Sequence, residues 1–131
     1  MPEKGINLLL MDDEKSIRDI YKNIFTLLGY KISLASNGDD AIKLVQNAFE
    51  EGGNFDVAVL DLTIHGGKGG KETIKQLKKI DPKIKCIAVS GYANDPIFIN
   101  HKEYGFDTVV KKPFKVQYLS KIIQELMDKW L

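Results

Sequence analysis

The sequence is poor in several residue types, and each shortage excludes a class of structure or function. Cysteine occurs once, at Cys86, so no internal disulfide can form. Arg18 is the single arginine among 19 basic residues, which excludes a phosphate-binding cluster of arginines. No apolar run approaches the roughly 20 residues that cross a bilayer. The 18 acidic residues leave a formal net charge of +1, so nothing draws the whole molecule to nucleic acid or to an anionic membrane.

What remains is an ordinary globular composition. The 131 residues are 44% hydrophobic and 28% charged, which suits one packed domain. Residues 1–5 lack the apolar segment of a signal peptide. Apolar neighbours favour a buried Cys86 over a reactive thiol, and a lone cysteine fits a reducing compartment. We therefore expect a single domain over residues 1–131, without an effector domain or membrane contact, in the cytoplasm.

Five apolar segments alternate with helical patterns along the chain. Each segment is short, rich in aliphatic residues and followed by polar or glycine residues, as buried strands are. The predicted strands are 6–11, 31–35, 56–61, 85–90 and 108–111. Regular alternation of strands and helices predicts an α/β fold, in which a parallel sheet is covered by helices on both faces and joined by right-handed crossovers.

Apolar residues three and four positions apart predict the five helices. The first apolar stripe comprises Ile17, Ile20, Tyr21, Ile24 and Leu28. The segment Asn94-Asp95-Pro96 is expected to cap the fourth helix, with Pro96 in its first turn, and Gly105 to end it. The apolar stripe of the last helix runs from Val116 to Trp130.

Polar side chains stand where four of the five predicted strands end. They are Asp12, Asp13, Asp61, Ser90 and Lys112. The carboxyl ends of parallel strands meet at one edge of the sheet, which is where open α/β sheets place their chemistry. Clustered carboxylates repel one another unless they share a cation, and carboxylate oxygens suit Mg²⁺. The sequence therefore predicts a Mg²⁺ site at this edge.

The remaining two side chains suit a phosphate group at the same edge. An ammonium from Lys112 can pair with one phosphate oxygen, and the Ser90 hydroxyl can donate to another. The chemistry that this set favours is attack by a carboxylate on phosphorus, giving an acyl phosphate. Taken singly, Asp13 is typical of a helix cap, Ser90 of a turn residue and Lys112 of a surface lysine. Their joint placement at the ends of four strands favours a functional site over these separate structural roles.

Four segments in this order resemble a response-regulator receiver domain over nearly all of residues 6–130. They are Met11-Asp12-Asp13-Glu14, Val59-Leu60-Asp61-Leu62, Ala88-Val89-Ser90-Gly91-Tyr92 and Lys112-Pro113-Phe114. The resemblance implies a flavodoxin-like (βα)5 fold with a five-stranded parallel sheet in the order 2-1-3-4-5. It also implies a phosphoacceptor in a His-Asp phosphorelay rather than an enzyme. The partner would be a sensor histidine kinase or a histidine phosphotransfer protein, with no nucleic acid involved.

The resemblance also assigns residue roles. Asp61 would accept the phosphoryl group. Mg²⁺ would be held directly by Asp13, by Asp61 and by the backbone carbonyl of Thr63, with Asp12 close by and often acting through water.

Two further roles concern the phosphate. Ser90 would bond a phosphoryl oxygen and Lys112 would pair with the phosphate, as in the family. The peptide bond between Lys112 and Pro113 is commonly cis in this family, which makes it a candidate here.

The sequence departs from the family's pattern beside the acceptor. Ile64 and His65 replace the usual Met-Pro pair and lead into two glycine pairs, 66–67 and 69–70. These pairs resemble receivers fused to hybrid sensor kinases, and we expect a loop that is mobile without phosphate. His65 is expected to be a loop side chain rather than a metal ligand.

Two other positions bear on output and on loss of the phosphoryl group. Val109 stands where receivers usually carry a switching Tyr or Phe, so output is expected to depend on residues 91–104 instead. Tyr92, two residues beyond Ser90, is expected to crowd the water that attacks the phosphoryl group.

Two other functions fit part of the pattern. A haloacid-dehalogenase-like phosphatase also uses a strand-end Asp and Mg²⁺, but Thr63 occupies the place of its second Asp. A phosphorylation-independent interaction module would keep the fold without needing the whole polar set. The four lysines of the third helix are interpreted as a solvated face, not a nucleic-acid site; they are Lys71, Lys75, Lys78 and Lys79.

Overall fold

The computed structural model describes residues 5–128, in which five strands alternate with five helices. The elements are β1 (Asn7–Met11), α1 (Lys15–Leu27), β2 (Lys31–Ala35), α2 (Gly38–Glu50), β3 (Val57–Asp61), α3 (Gly70–Ile80), β4 (Lys85–Ser90), α4 (Ile97–Tyr104), β5 (Thr108–Lys111) and α5 (Val116–Asp128). Trp130, expected at the end of the last apolar stripe, lies outside the described residues. Among residues 5–128, no helix is both long and apolar enough to span a membrane.

The strands form one parallel sheet in the order β2-β1-β3-β4-β5, as predicted. The central strand β3 pairs with β1 on one side and with β4 on the other, and all five of its residues are buried. Asp61 lies at its carboxyl end, in register with Val89 of β4. The middle of the sheet thus carries the polar cluster at its carboxyl edge.

Alternation along the strands builds a separate core on each face of the sheet. Leu9 of β1 and Leu60 of β3 pack with α2, α3 and α4, while Leu8 and Val59 pack with α1 and α5. Because side chains of successive strand residues point to opposite faces, a strand covered on both sides must be apolar throughout. This explains the unbroken apolar runs in the sequence.

The buried face of α1 differs from the predicted stripe. Ile20 is 49% exposed and Leu28 is 37% exposed, whereas Phe25, which the stripe omitted, is fully buried. The Phe25 ring packs edge-on against Tyr30, with the ring centroids 4.9 Å apart. The prediction was wrong here because aliphatic spacing alone does not show which side of a helix meets the sheet.

The predicted segment Asn94-Asp95-Pro96 does cap the start of α4, but Pro96 lies at the N-cap position rather than in the first turn, and Asn94 is exposed. The Asp95 side chain accepts from the Ile97 amide at 3.0 Å, because the turn in which Asp95 N donates to Tyr92 O brings that carboxylate to the helix end. The predicted end at Gly105 is confirmed, with a left-handed backbone at φ +96°.

Cys86 should resist alkylation in the native protein. The side chain is fully buried, and burial raises the pKa of its thiol to about 12. We expect no reaction with iodoacetamide near pH 8 and stoichiometric reaction in denaturant, both followed by intact mass. Because the thiol of the unfolded chain ionises near its ordinary pKa of 9.0, this group favours unfolding as the pH rises past that value. Rapid labelling of the native protein would contradict the packed core described above.

Candidate functional site

Three carboxylates converge at the carboxyl edge of the sheet, as predicted. Asp12 and Asp13 follow β1 and Asp61 ends β3, and one oxygen from each lies within 4.8 Å of the others. Asp12 and Asp61 are each only 3% exposed, while Asp13 is half-buried. Such a concentration of negative charge is costly in a buried place unless cations offset it.

Lys112 supplies one such cation from the residue after β5. Its Nζ lies 2.6 Å from Asp61 Oδ2 and 3.6 Å from Asp12 Oδ2. The backbone holds it in place, since the Lys112 amide donates to the Ser90 carbonyl at 2.8 Å. The peptide bond between Lys112 and Pro113 is cis, as expected. The structure therefore brings Lys112 into direct contact with the acidic cluster.

Burial raises the pKa of Asp61 above its ordinary value. Hydrogen bonds from Lys112 and from the Thr63 amide oppose this effect, and the charge of Asp12 adds to it. Because the pKa of Asp61 in the folded protein lies above its ordinary value of 3.8, this group lowers the stability of the fold as the pH rises above 3.8. The charged form of Asp61 therefore opposes folding. For Lys112, burial lowers the pKa, but the hydrogen bonds and negative charges of Asp61 and Asp12 together outweigh burial and the net shift is upward, so this side chain stays charged.

Ser90, the last residue of β4, lies on the strand next to Asp61. Its side chain is buried, and its Oγ accepts from the Tyr92 amide at 3.1 Å. This bond leaves the hydroxyl proton available for another acceptor. Ser90 is thus held as a hydrogen-bond donor on the strand beside the carboxylates.

The segment after Asp61 is tied to the site at several points. The His65 amide donates to Asp13 Oδ2 at 2.9 Å, so His65 contributes its backbone. The Lys68 carbonyl accepts from the Gly38 amide at 2.8 Å, and the Lys68 ammonium lies 3.2 Å from Asp39 Oδ1. These contacts show how the segment is held to α2 and to the acidic cluster; the expected mobility without phosphate stays a prediction.

The two glycine pairs of this segment serve different purposes. Gly66 has φ +75°, a conformation that side chains disfavour. Gly69 and Gly70 are buried, and a Cβ at Gly69 would lie 2.6 Å from the Leu62 carbonyl oxygen. The second pair therefore lets the start of α3 approach the end of β3 closely.

Alanine at Gly69 should destabilise the fold by about 1–3 kcal/mol, the usual cost of overpacking. The clash is with a backbone atom, so side-chain rotation cannot relieve it and the end of β3 must shift. The matched control is Gly53→Ala, whose Cβ would meet only the Ala48 carbonyl oxygen at 3.6 Å. Urea unfolding of both variants measures the difference. Equal stability of the two would contradict the close approach.

Sequence reasoning missed Arg18, which supports the acidic cluster from α1. Its Nη1 donates to the backbone carbonyl of Asp12 at 2.8 Å. Side chains on a helix lean towards its N-terminus, so an arginine in the first turn can reach back to the end of the preceding strand. The sequence does place Arg18 in the first turn of the helix after β1. That position points to a role in the site only once the end of β1 is known to carry the acidic cluster.

An open cleft of about 290 Å³ exposes the site to solvent. Its lining comprises Asp13, Glu14, Asp61, Thr63, His65, Gly91, Tyr92 and Lys112. The Tyr92 side chain is 59% exposed at the rim. With both carboxylates and an ammonium in its lining, the cleft suits a divalent cation together with an anionic group such as phosphoryl.

Residues 8–124 match the family model described as response regulator receiver domain. Among curated proteins, the chain is 30% identical over 125 residues to sensor kinase CckA of Brucella abortus, covering 93% of this chain and 12% of CckA. It is also 30% identical over 123 residues to response regulator SaeR of Staphylococcus aureus, covering 94% of this chain and 51% of SaeR. The chain thus spans about half or less of these two relatives.

Solved structures agree on the fold. A CheY-like receiver domain protein from Methanospirillum hungatei superposes with a TM-score of 0.84 at 25% identity, covering 96% of each chain. Response regulator TrrA of Thermotoga maritima, solved in complex with Mg²⁺-BeF, gives a TM-score of 0.74 at 28% identity and covers 92% of this chain and 97% of TrrA. Both likenesses extend over nearly the whole chain.

Proposed function

The chain belongs to the response regulator receiver domain family, and from that premise we propose that Asp61 is the residue that takes up the phosphoryl group. Receiver domains are phosphoacceptors in two-component phosphorelays rather than enzymes in the usual sense. The observation that carries the assignment is the position of the Asp61 carboxylate. It is buried, lies 2.6 Å from the Lys112 ammonium and shares a 4.8 Å cluster with Asp12 and Asp13.

The donor set fits Mg²⁺. Hard divalent cations take oxygen ligands, and Mg²⁺ commonly uses one or two carboxylates together with waters and phosphate oxygens. Asp13, Asp61 and the Thr63 carbonyl would hold the ion, with Asp12 beside them, and the bound ion would neutralise charge that develops on the phosphoryl group. The complex of the relative TrrA with Mg²⁺-BeF supports the same cation here.

The reaction is transfer of a phosphoryl group from a phosphohistidine to Asp61. A carboxylate oxygen attacks phosphorus, a P–O bond forms as the P–N bond breaks, and the released imidazole takes its proton from water. Lys112, already paired with Asp61, is placed to pair with a phosphoryl oxygen, and the free proton of Ser90 is donated to another. Positioning and charge neutralisation carry the step.

The phosphodonor is a sensor histidine kinase or a histidine phosphotransfer protein, acting in the cytoplasm. Two arrangements are compatible with the relatives, namely a receiver within a longer kinase chain, as the match to sensor kinase CckA suggests, and a receiver of similar length to the Methanospirillum protein. In either case phosphorylation changes the surface of the domain, and this change carries the signal. We do not propose nucleic-acid binding by residues 5–128.

Incubation with acetyl phosphate and Mg²⁺ tests the function. We expect intact mass to rise by one phosphoryl group per chain, and no rise when EDTA replaces Mg²⁺. A chain that folds but takes up no phosphoryl group would favour the interaction module of the same fold. Continuous turnover of an aryl phosphate would favour the phosphatase, although Thr63 occupies the place of that family's second Asp.

A further inference from the structure

Lys71, on the first turn of α3, contacts two parts of the chain beyond its own helix. Its Nζ lies 3.0 Å from Asp95 Oδ1 and 5.0 Å from the centroid of the Tyr104 ring. The prediction of a solvated lysine face is wrong for this residue, whose side chain is 34% exposed, and for Lys78, which donates to the Ile84 carbonyl. Lys75, one turn along the helix, is exposed.

A chain of hydrogen bonds leads from Lys71 to Ser90. Asp95 Oδ1 accepts from both Lys71 and the Ile97 amide, so the carboxylate ties the lysine to the start of α4. The Asp95 amide donates to the Tyr92 carbonyl at 3.0 Å, and the Tyr92 amide donates to Ser90 Oγ at 3.1 Å. Lys71 therefore contacts the turn that orients the Ser90 hydroxyl.

The backbone of Lys71 is fixed relative to Asp61. A Cβ on the preceding residue, Gly70, would lie 3.1 Å from the Asp61 carbonyl oxygen, which shows how tightly the start of α3 packs on the end of β3. The side chain then crosses to the turn after β4. One residue thus connects the strand end that bears the acceptor with the turn that holds its hydroxyl donor.

The ion pair is well formed for a partly exposed one. Only 15% of the Asp95 side chain is exposed. Burial alone would raise the pKa of this carboxyl, but the bonds from the Ile97 amide and from Lys71 outweigh burial and hold the pKa below its ordinary value. The Lys71 ammonium also lies over the Tyr104 ring, which adds a cation–π contact to the ion pair.

We propose that Lys71 is a positioning residue for phosphorylation of Asp61, acting through Asp95 and Tyr92 to hold the Ser90 hydroxyl where it can donate to the phosphoryl group. The inference rests on the proposed function and deepens it. Because Ser90 Oγ accepts from the Tyr92 amide, the hydroxyl proton of Ser90 is free to be donated. The ion pair between Lys71 and Asp95 holds the turn that contains Tyr92 in place. The same contacts link the site to α4, the helix expected to carry output because Val109 replaces the usual aromatic residue.

The test compares Lys71→Met with Lys75→Met, which removes the same charge from the same helix without breaking the ion pair. At saturating Mg²⁺, we expect Lys71→Met to lower the maximal rate of phosphorylation by acetyl phosphate about fivefold, the scale of one such ion pair with a cation–π contact. The half-saturating donor concentration and the Mg²⁺ affinity should stay unchanged, since Lys71 touches neither ligand. Lys75→Met should leave all three near their wild-type values.

Two further variants separate positioning from a general loss of charge. Asp95→Asn breaks the same ion pair, so the double variant with Lys71→Met should be no slower than Lys71→Met alone. Lys71→Arg should restore most of the rate, because arginine keeps both the ion pair and the stacking. Independently of phosphorylation, the Tyr92 and Ile97 amide signals in ¹H–¹⁵N spectra should shift in Lys71→Met and not in Lys75→Met.

If the wild-type chain is phosphorylated and Lys71→Met matches Lys75→Met in rate, the positioning role is overturned while the proposed function stands. Additive effects of Lys71→Met and Asp95→Asn, or unshifted Tyr92 and Ile97 amides, also overturn it. If the wild-type chain takes up no phosphoryl group, the proposed function fails, and the positioning role falls with it.

Discussion

Replacing Asp61 by Asn should abolish uptake of a phosphoryl group from acetyl phosphate, with a fall in rate of at least about 10³-fold, as is usual when a nucleophile is removed. The amide offers no carboxylate oxygen for attack on phosphorus, while its size and hydrogen-bonding shape are nearly the same. The fold should survive, because the buried charge of Asp61 opposes folding and the amide removes it. Intact mass spectrometry with Mg²⁺ present measures the loss.

Asp56→Asn is the matched control for this variant. Asp56 precedes the same strand at its opposite end, where its Oδ2 accepts from the Asn7 amide. Phosphorylation should continue in Asp56→Asn at about the wild-type rate, which shows that loss of a carboxylate elsewhere near β3 is harmless. Persistent phosphorylation of Asp61→Asn with a circular dichroism spectrum like that of the wild type would refute Asp61 as the acceptor.

Replacing Lys112 by Met should lower the free energy of unfolding by about 2–3 kcal/mol when no divalent cation is present. Removing one partner of a buried ion pair typically costs about 3–5 kcal/mol, and the figure is reduced here because the Lys112 side chain is 34% exposed. The loss leaves the carboxylates of Asp61 and Asp12 without their cation. Urea unfolding at neutral pH measures it, with Lys115→Met, an exposed lysine three residues on, as control.

Acid and Mg²⁺ should both diminish this deficit. Without Lys112 the pKa of Asp61 in the folded state rises further above 3.8. The variant therefore loses stability over a pH range that begins near 3.8, where the carboxyl of the unfolded chain ionises, and extends to higher pH. The deficit should therefore be largest at neutral pH and shrink towards pH 4. Mg²⁺ stabilises both chains, so it narrows the deficit only through tighter binding to the variant, in which no ammonium repels the ion; a tenfold tighter Kd is worth about 1.4 kcal/mol at saturation. A deficit that neither acid nor Mg²⁺ changes would mean that Lys112 stabilises by packing alone.

The parallel sheet and the location of the site could be predicted because each rests on local sequence, whereas the strand order was implied by the resemblance to receiver domains. The apolar runs around Leu9 and Leu60 indicate strands buried on both faces, and regular βα alternation then places every strand end on one edge. The polar residues that end those runs, such as Asp61 and Ser90, therefore had to lie together. The sheet and the cluster at its carboxyl edge confirm both steps.

The sequence did not show which long side chains reach across between elements. Phe25 and Ile20 are both apolar, and only the packing of α1 on the sheet decides that Phe25 is buried. Lys71 is one of four lysines on α3, and it differs from Lys75 because Asp95 and Tyr104, both far along the chain, lie beside it. Direction and reach of side chains depend on tertiary contacts, which residue spacing does not contain.

Chemical reduction of the acyl phosphate can show directly whether Asp61 carries the phosphoryl group. An acyl phosphate is reduced by borohydride to the alcohol, so treatment of the phosphorylated wild-type chain should convert the acceptor aspartate into homoserine, which peptide mass spectrometry then locates. We expect homoserine at position 61 alone, and only in samples that received both acetyl phosphate and Mg²⁺. Homoserine at position 12 or 13 instead, or a phosphorylated chain with none at position 61, would contradict it.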